Sequence, residues 1–366
     1  MSAENSNGHL QTRQLPKEFL AAAVKRANEL SLQRAERPYR PSSELKFLLE
    51  VQVETAHMPL MLVGEPGGGK TAAAYHLQHE LMQKTQREGR DANVSLHHIS
   101  CHDNLSPREI LYRFDHLARL RAATDGKVIP EHLVGKTAEW LATVAQNPDL
   151  ATSPEFISFA ESVIKVVELN YIQAKTSLDP MSFMVYGPLG EAIIRSINGE
   201  ESVVLIDEID KTPPGFEDQL LEVIEHLIFT LEEAGLSVAG NKELLHIIIT
   251  SNDQRELSKA FLRRLMVHEI KFPSKKELEA IVHDHLPQVN NRLARAAINF
   301  IIRLRNELEL NKPPSTAEVI QWIKVMQAYN QSAESIEAYE VPLLEMIIKD
   351  NEDRRNVEDY LRRRSY

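Results

Sequence analysis

The chain has 366 residues, enough for two domains, and 43% of them are apolar, as in an ordinary globular protein. Its 53 acidic residues against 42 basic ones leave a formal net charge of −11, which disfavours a nucleic-acid binder built on clustered Lys and Arg. The single cysteine, Cys101, cannot form an internal disulfide and suits a reducing cytosol, and no apolar run approaches the roughly 20 residues of a membrane helix.

Residues 1–15 are polar, lack the apolar core of a signal peptide and read as a tail. Helical patterns follow over residues 16–56, broken at Pro38 and Pro41. Residues 59–63 are an apolar run expected to form a buried parallel strand. The next octet, Gly64-Glu65-Pro66-Gly67-Gly68-Gly69-Lys70-Thr71, fits the P-loop pattern GxxxxGK[ST] and opens a helix predicted to run to about Arg87. The chemistry needs these residue types at this spacing. Glycines let the backbone wrap round phosphates with its N–H groups inward, the lysine reaches the β- and γ-phosphates, and the Thr71 hydroxyl ligates Mg²⁺.

Residues 94–99 are expected to form a second strand and residues 104–123 one helix, capped near Ser106-Pro107. Residues 124–182 are helical in pattern and rather polar, broken at Asn147-Pro148 and Asp179-Pro180, and read as a surface insertion carrying a partner surface. Residues 202–207 are an apolar strand ending in acid. A helix over 215–227 and strands over 244–250 and 267–272 come next. After Pro273 only helical patterns remain, including 275–285, 291–308 and 315–329. The expected fold is therefore α/β, a P-loop NTPase αβα sandwich with a parallel sheet, followed by a smaller all-helical lid domain. The expected domains are a tail and leading helix over 1–40, a nucleotide-binding domain over 41–273, and a lid with a C-terminal helix over 274–366.

Three further groups carry chemistry. Asp207 would hold Mg²⁺ and Glu208 would orient or deprotonate the attacking water. Asn252, delivered by the strand Ile247-Ile248-Ile249-Thr250-Ser251, could position that water from the opposite side. Arg263 and Arg264 are suited to stabilise charge on a transferring phosphoryl group.

The ordered set GEPGGGKT, VVLIDEIDK, IIITSND and AFLRRL resembles the AAA+ ATPases, and more closely their MoxR-like branch. Residues 110–115 and 186–190 are similar to that branch as well, so the resemblance covers roughly residues 40–330. It implies ATP and Mg²⁺ as ligands, a core with a helical lid, and assembly into a ring, usually a hexamer, with sites shared between subunits. It assigns Lys70 and Thr71 to Walker A, Asp207 and Glu208 to Walker B and Asn252 to sensor 1. Arg264 is the first choice for the trans-acting finger, with Arg263 close behind. Related chains often carry a sensor 2 arginine where this one has Ala317, so Lys312 or a neighbouring subunit would have to substitute. The choice of adenine over guanine, and a von Willebrand A type partner in trans, are likewise implied by the resemblance alone.

The remaining signals are weaker. His97, His98, His102 and the His283-Asp284-His285 cluster invite a metal reading, but residues two apart on a helix point to different faces. Arg354, Arg355 and Arg362 to Arg364 form a basic end that reads as an exposed helix face or a contact with acidic partners. The leading expectation is a cytoplasmic ring ATPase that remodels or chaperones a protein client. The alternative is a nucleotide-dependent switch or scaffold with slow, partner-triggered turnover. A nucleic-acid motor or restriction-type GTPase ranks third.

Overall fold

The computed structural model describes residues 38–55, 58–89, 94–125, 137, 139, 142–147, 153, 156–158, 160, 161, 163 and 179–364. The leading helix and most of the expected insertion therefore lie outside the described residues. Among the described residues the strands are β1 (Leu60–Gly64), β2 (Ser95–Ser100), β3 (Tyr112–Phe114), β4 (Met184–Tyr186), β5 (Ser202–Asp207), β6 (Ile228–Leu231), β7 (Leu236–Ala239), β8 (Leu245–Ser251) and β9 (Met266–Ile270). The chain divides into two compact units, one of residues 1–103, 200–212 and 242–366, the other of residues 104–199 and 213–241.

The first unit is built on a five-stranded sheet of order β2-β5-β8-β1-β9 in which every pair is parallel. Strands of such a sheet are covered on both faces and read as unbroken apolar runs. All seven residues of β8 are buried, and β5 is buried from Ser202 to Ile206. The helix Lys70–Arg87 follows β1 with Ala73, Ala74, Leu77 and Leu81 on one buried stripe. That stripe packs with Leu45 and Leu49 of the helix Ser43–Thr55 on Leu60, Leu62, Val203, Leu205 and Ile248 of the sheet. Each of the five sheet strands lies within two residues of its sequence expectation. The α/β class is borne out.

The C-terminal part of this unit is all helical, with helices Lys275–His285, Asn291–Glu307, Thr316–Ala328, Ala333–Glu337 and Asn351–Arg364. Their starts are legible in the sequence. Ser274 with Glu277, and Ser315 with Glu318, form reciprocal capping boxes, and the Asn290 side chain caps the helix between them. Their apolar faces bury one core around Leu293, Phe300, Ile301, Trp322 and Ile323, joined by Val357 and Leu361 of the last helix.

The second unit corrects the sequence reading twice. The expected single helix over 104–123 is a short helix Pro107–Leu111, then β3, then a helix His116–Asp125. Tyr112 and Phe114 point inward and Arg113 outward, a period of two that favours a strand, and β4 supplies the antiparallel partner through Tyr112↔Tyr186. Residues 110–115 and 186–190, singled out separately in the sequence, thus meet at one end of this ribbon, through Tyr112↔Tyr186 and the Gly187 N–H donated to the Leu111 carbonyl at 2.9 Å. The β6–β7 hairpin was not anticipated. The preceding helix Phe216–His226 stops where Leu227 turns left-handed at φ 52°, and the hairpin turns at Gly235, φ 64°.

Candidate functional site

The P-loop leaves β1 at its carboxyl end and wraps into the helix Lys70–Arg87, whose N-cap Gly69 is left-handed at φ 93°. Lys70 is buried, and its Nζ donates to the carbonyls of Gly64 (2.8 Å) and Glu65 (2.9 Å). Burial lowers its pKa, and the carboxylates of Asp207, Asp210, Glu208 and Glu65 only partly oppose that shift. Gly67 must be glycine. A Cβ there would stand 2.6 Å from Ser315 Oγ, at a φ of 74° that a side chain rarely adopts. Pro66 and Gly68 complete the turn, where the Gly68 N–H donates to the Glu65 carbonyl at 3.3 Å.

β5 runs beside β8, and the ends of both bring the expected acids to the P-loop. Thr71 Oγ1 donates to Asp207, 3.1 Å from Oδ1 and 3.3 Å from Oδ2. Burial pushes the Asp207 carboxyl up, but hydrogen bonds from His98, Thr250 and Thr71 outweigh it and hold the acid below its ordinary range. A hydroxyl and an anionic carboxylate converging on one point are the hard oxygen donors Mg²⁺ prefers, so these residues fit that ion. The buried Cys101 thiol is pushed up to about 12, first by desolvation and then by the charges of Asp207, Asp210 and Glu208.

Glu208 follows in the left-handed region at φ 61°, ψ 51°, a strained setting for a side-chain-bearing residue. One carboxylate oxygen accepts Asn252 Nδ2 at 2.9 Å and the other accepts Lys211 Nζ. Sequence reasoning placed Glu208 and Asn252 at one sheet edge, and the structure joins them directly. Among the described residues no group of three His, Cys, Asp or Glu side chains is placed to hold a metal ion.

Arg263 and Arg264 are exposed and lie elsewhere. β9 runs parallel to β1 from Leu60↔Met266 to Gly64↔Ile270, so both arginines precede the strand's first residue. They sit at the amino edge of the sheet, separated from the P-loop by the length of β1, about 15 Å. Arg264 Nη1 donates to the Ala260 carbonyl at 3.1 Å. Topology keeps both away from the P-loop of their own chain.

Several residues of the site escaped the sequence reading. Thr250, fully buried, donates to Asp207 Oδ1 at 2.6 Å and accepts the Glu208 N–H at 2.8 Å. Asp210 accepts the backbone N–H groups of Asn252 (3.2 Å) and Gln254 (3.0 Å), fixing the turn that carries Asn252. The second Asp of Asp-Glu-Ile-Asp was the available signal for it. His98 on β2 lies 3.3 Å from Asp207 Oδ2. Tyr39 packs on Gly69, whose added Cβ would meet its ring at 3.1 Å, while Arg40 forms a bidentate pair with Asp284 at 2.8 and 3.1 Å. Arg305 reaches both oxygens of Glu65 at 2.9 and 2.7 Å. Nothing local in the sequence marks Tyr39 or Arg305, and His98 stood out there only as a weak metal candidate, not as a partner of Asp207.

The order β2-β5-β8-β1-β9 places the P-loop strand between the strand bearing Asn252 and the edge strand, with the acidic strand one further in. Residues 166–265 match the family described as AAA domain (dynein-related subfamily). This is a P-loop NTPase fold. The matched stretch begins after the P-loop and takes in Asp207, Glu208, Asn252 and both arginines. A search of curated proteins found no match. Among solved structures the chain is similar to domain III of the Thermotoga maritima replication initiation protein DnaA, at 11% identity and a TM-score of 0.39, covering 87% of this chain and 97% of that one. That likeness is too distant to bear on function.

Proposed function

We propose that the chain is a Mg²⁺-dependent ATPase of the MoxR-like kind that works as a ring, of six subunits on the family pattern, and reshapes a protein client or partner complex. The observation that carries the reading is the direct Glu208–Asn252 hydrogen bond at 2.9 Å, beside the Thr71–Asp207 pair and Lys70. P-loop N–H groups and Lys70 would hold the β- and γ-phosphates, and Thr71 and Asp207 would hold Mg²⁺. Bound there, Mg²⁺ supplies charge neutralisation on the phosphate oxygens. Glu208 accepts a proton from the attacking water, which Asn252 orients. Lys70 donates to the phosphate oxygens as charge builds on them.

The placement of Arg263 and Arg264 at the far sheet edge supports their action in a neighbour's site, with Arg264 the first choice. A von Willebrand A type partner in trans and a cytoplasmic setting belong to the same reading. Among the described residues no helix is long and apolar enough to cross a membrane. Steady-state hydrolysis of ATP with Mg²⁺ across a wide range of protein concentration tests it. Specific activity should rise with concentration and collapse in Arg264→Ala; flat activity untouched by that change would sink the shared site.

One observation favours a second reading, a nucleotide-dependent switch. Glu208 is held by Lys211 as well as Asn252, so its carboxylate must shed an ion pair before it can accept a proton. Partner-triggered release of that pair would give slow basal turnover. Lys211→Ala distinguishes the two, since it should accelerate basal hydrolysis only if the ion pair restrains Glu208.

A further inference from the structure

Glu65 faces two ways. Its backbone carbonyl accepts Lys70 Nζ at 2.9 Å, and both of its carboxylate oxygens accept from Nη2 of Arg305. Arg305 belongs to the C-terminal helical region, on the helix Asn291–Glu307. Its other terminal nitrogen donates to the Pro314 carbonyl at 2.9 Å, and its plane lies 3.9 Å from the centre of the Phe272 ring. The arginine is thus fixed at three points, with 14% of its side chain exposed against 51% for Glu65. Exposed ion pairs contribute little as a rule, but one whose guanidinium is largely buried, stacked on an aromatic face and held by a second acceptor is better placed to matter.

The surroundings of this pair are also ordered. Pro314 ends a loop whose Asn311 and Lys312 N–H groups donate to the fully buried Asp353 of the last helix, at 2.9 and 2.8 Å. Ser315, one residue on, is the group that Gly67 of the P-loop makes room for. Phe272 lies just beyond β9, whose Ile270 carbonyl would be met at 2.5 Å by a Cβ on Gly64. Three segments therefore meet at Arg305: the P-loop, the exit from the sheet and the loop before helix Thr316–Ala328.

We propose that Arg305 is a positioning residue for the nucleotide site, clamping the P-loop through Glu65 so that the helical region sets the loop's readiness to receive phosphate. The proposal rests on the nucleotide-binding reading of the P-loop. Arg305 acts through Glu65 and not on phosphate itself, because both of its terminal nitrogens are engaged, one by Pro314 and the other by Glu65. Losing the clamp frees Glu65, and with it the carbonyl that orients Lys70. The expected effect is on affinity for nucleotide more than on the hydrolytic step.

The test is titration of the full chain with a fluorescent N-methylanthraniloyl ATP and Mg²⁺, beside steady-state kinetics with ATP. Arg305→Ala should weaken binding about tenfold, with the loss appearing in KM and little of it in kcat. Arg305→Lys should fall between, since a lone ammonium keeps the charge but lacks the planar guanidinium that reaches Glu65 and Pro314 from two nitrogens while stacked on Phe272. The reversed pair Arg305→Glu with Glu65→Arg should bind better than Arg305→Glu alone. Wild-type affinity in Arg305→Ala, or a reversed pair no better than Arg305→Glu, overturns the clamp. Lys70→Ala separates this from the parent reading: if wild type binds no better than Lys70→Ala, nucleotide binding itself is wrong, whereas its loss only in Lys70→Ala removes the clamp alone.

Discussion

The Thr250 hydroxyl stands 2.6 Å from Asp207 Oδ1 and accepts the N–H of the next residue along at 2.8 Å, so one fully buried side chain fixes both acids at the end of β5. Thr250→Val keeps the shape and removes both bonds. It leaves the Glu208 N–H without this partner at a half-buried position, which costs about 1 kcal/mol, the low end of the penalty for an unsatisfied buried donor. Denaturant unfolding should show that loss for Thr250→Val and a smaller one for Thr250→Ser, with ATP hydrolysis falling in parallel. A valine variant of full stability and activity would refute the assigned role.

Glu208 separates strain from function. At φ 61° a side chain costs roughly 1–2 kcal/mol that glycine avoids. Glu208→Gly should therefore be at least as stable as the wild type by thermal unfolding while losing at least about a hundredfold in hydrolysis. Glu208→Gln should lose similar activity and still bind ATP. Retained turnover in either variant would remove Glu208 from the proton-accepting role.

The pH dependence of stability carries a signature of Asp207. Its folded pKa lies below the ordinary carboxylate value, since the hydrogen bonds from His98, Thr250 and Thr71 outweigh the upward push of burial. In that window the unfolded chain binds more protons than the folded one, so stability rises with pH. The contribution is fully present above the unfolded value near 3.9 and is lost as pH falls through the folded value. The stability difference between wild type and Asp207→Asn should therefore shift against the wild type as pH drops below about 4. A difference independent of pH over that range would contradict the shift.

Gly190 lies where two backbones touch. An added Cβ would stand 1.8 Å from the Leu111 carbonyl oxygen, and backbone cannot step aside as the end of a side chain can. Gly190→Ala should force the helix Pro188–Ile197 from its seat and strip hydrogen-exchange protection from the Gly187 and Asp115 amides, which donate to the Leu111 and Phe183 carbonyls at the two ends of the β3–β4 ribbon. Unchanged protection would show that the contact can relax. Gly199→Ala, with nothing within 4 Å of its added Cβ, is the matched control, carrying only the strain of φ 81°.

Much of the fold was legible because burial on both faces leaves a simple trace. Ile247-Ile248-Ile249 and Val203-Val204-Leu205-Ile206 can be little other than central strands, and strands alternating with helices imply a parallel sheet. Tyr112-Arg113-Phe114 was not legible. Three residues between helical patterns form a strand only when a partner arrives, and β4 arrives seventy residues later. The β6–β7 hairpin failed for a related reason, since four-residue strands beside a Gly235 turn carry too short a pattern to outweigh the helix before them.

By itself the sequence picked out the residues that meet at the carboxyl edge as a candidate site: Lys70 and Thr71 by spacing, Asp207 and Glu208 by their place after an apolar run, Asn252 by the same logic one strand away. Such motifs are local, because a strand end presents its next residues wherever that strand sits in the sheet. What holds those residues was decided only by tertiary structure. Thr250 binds Asp207 across 43 positions and Arg305 binds Glu65 across 240. His98 reaches Asp207 because β2 lies against β5. Contacts of that range leave no periodicity along the chain; they exist only once packing has brought distant elements within hydrogen-bonding distance.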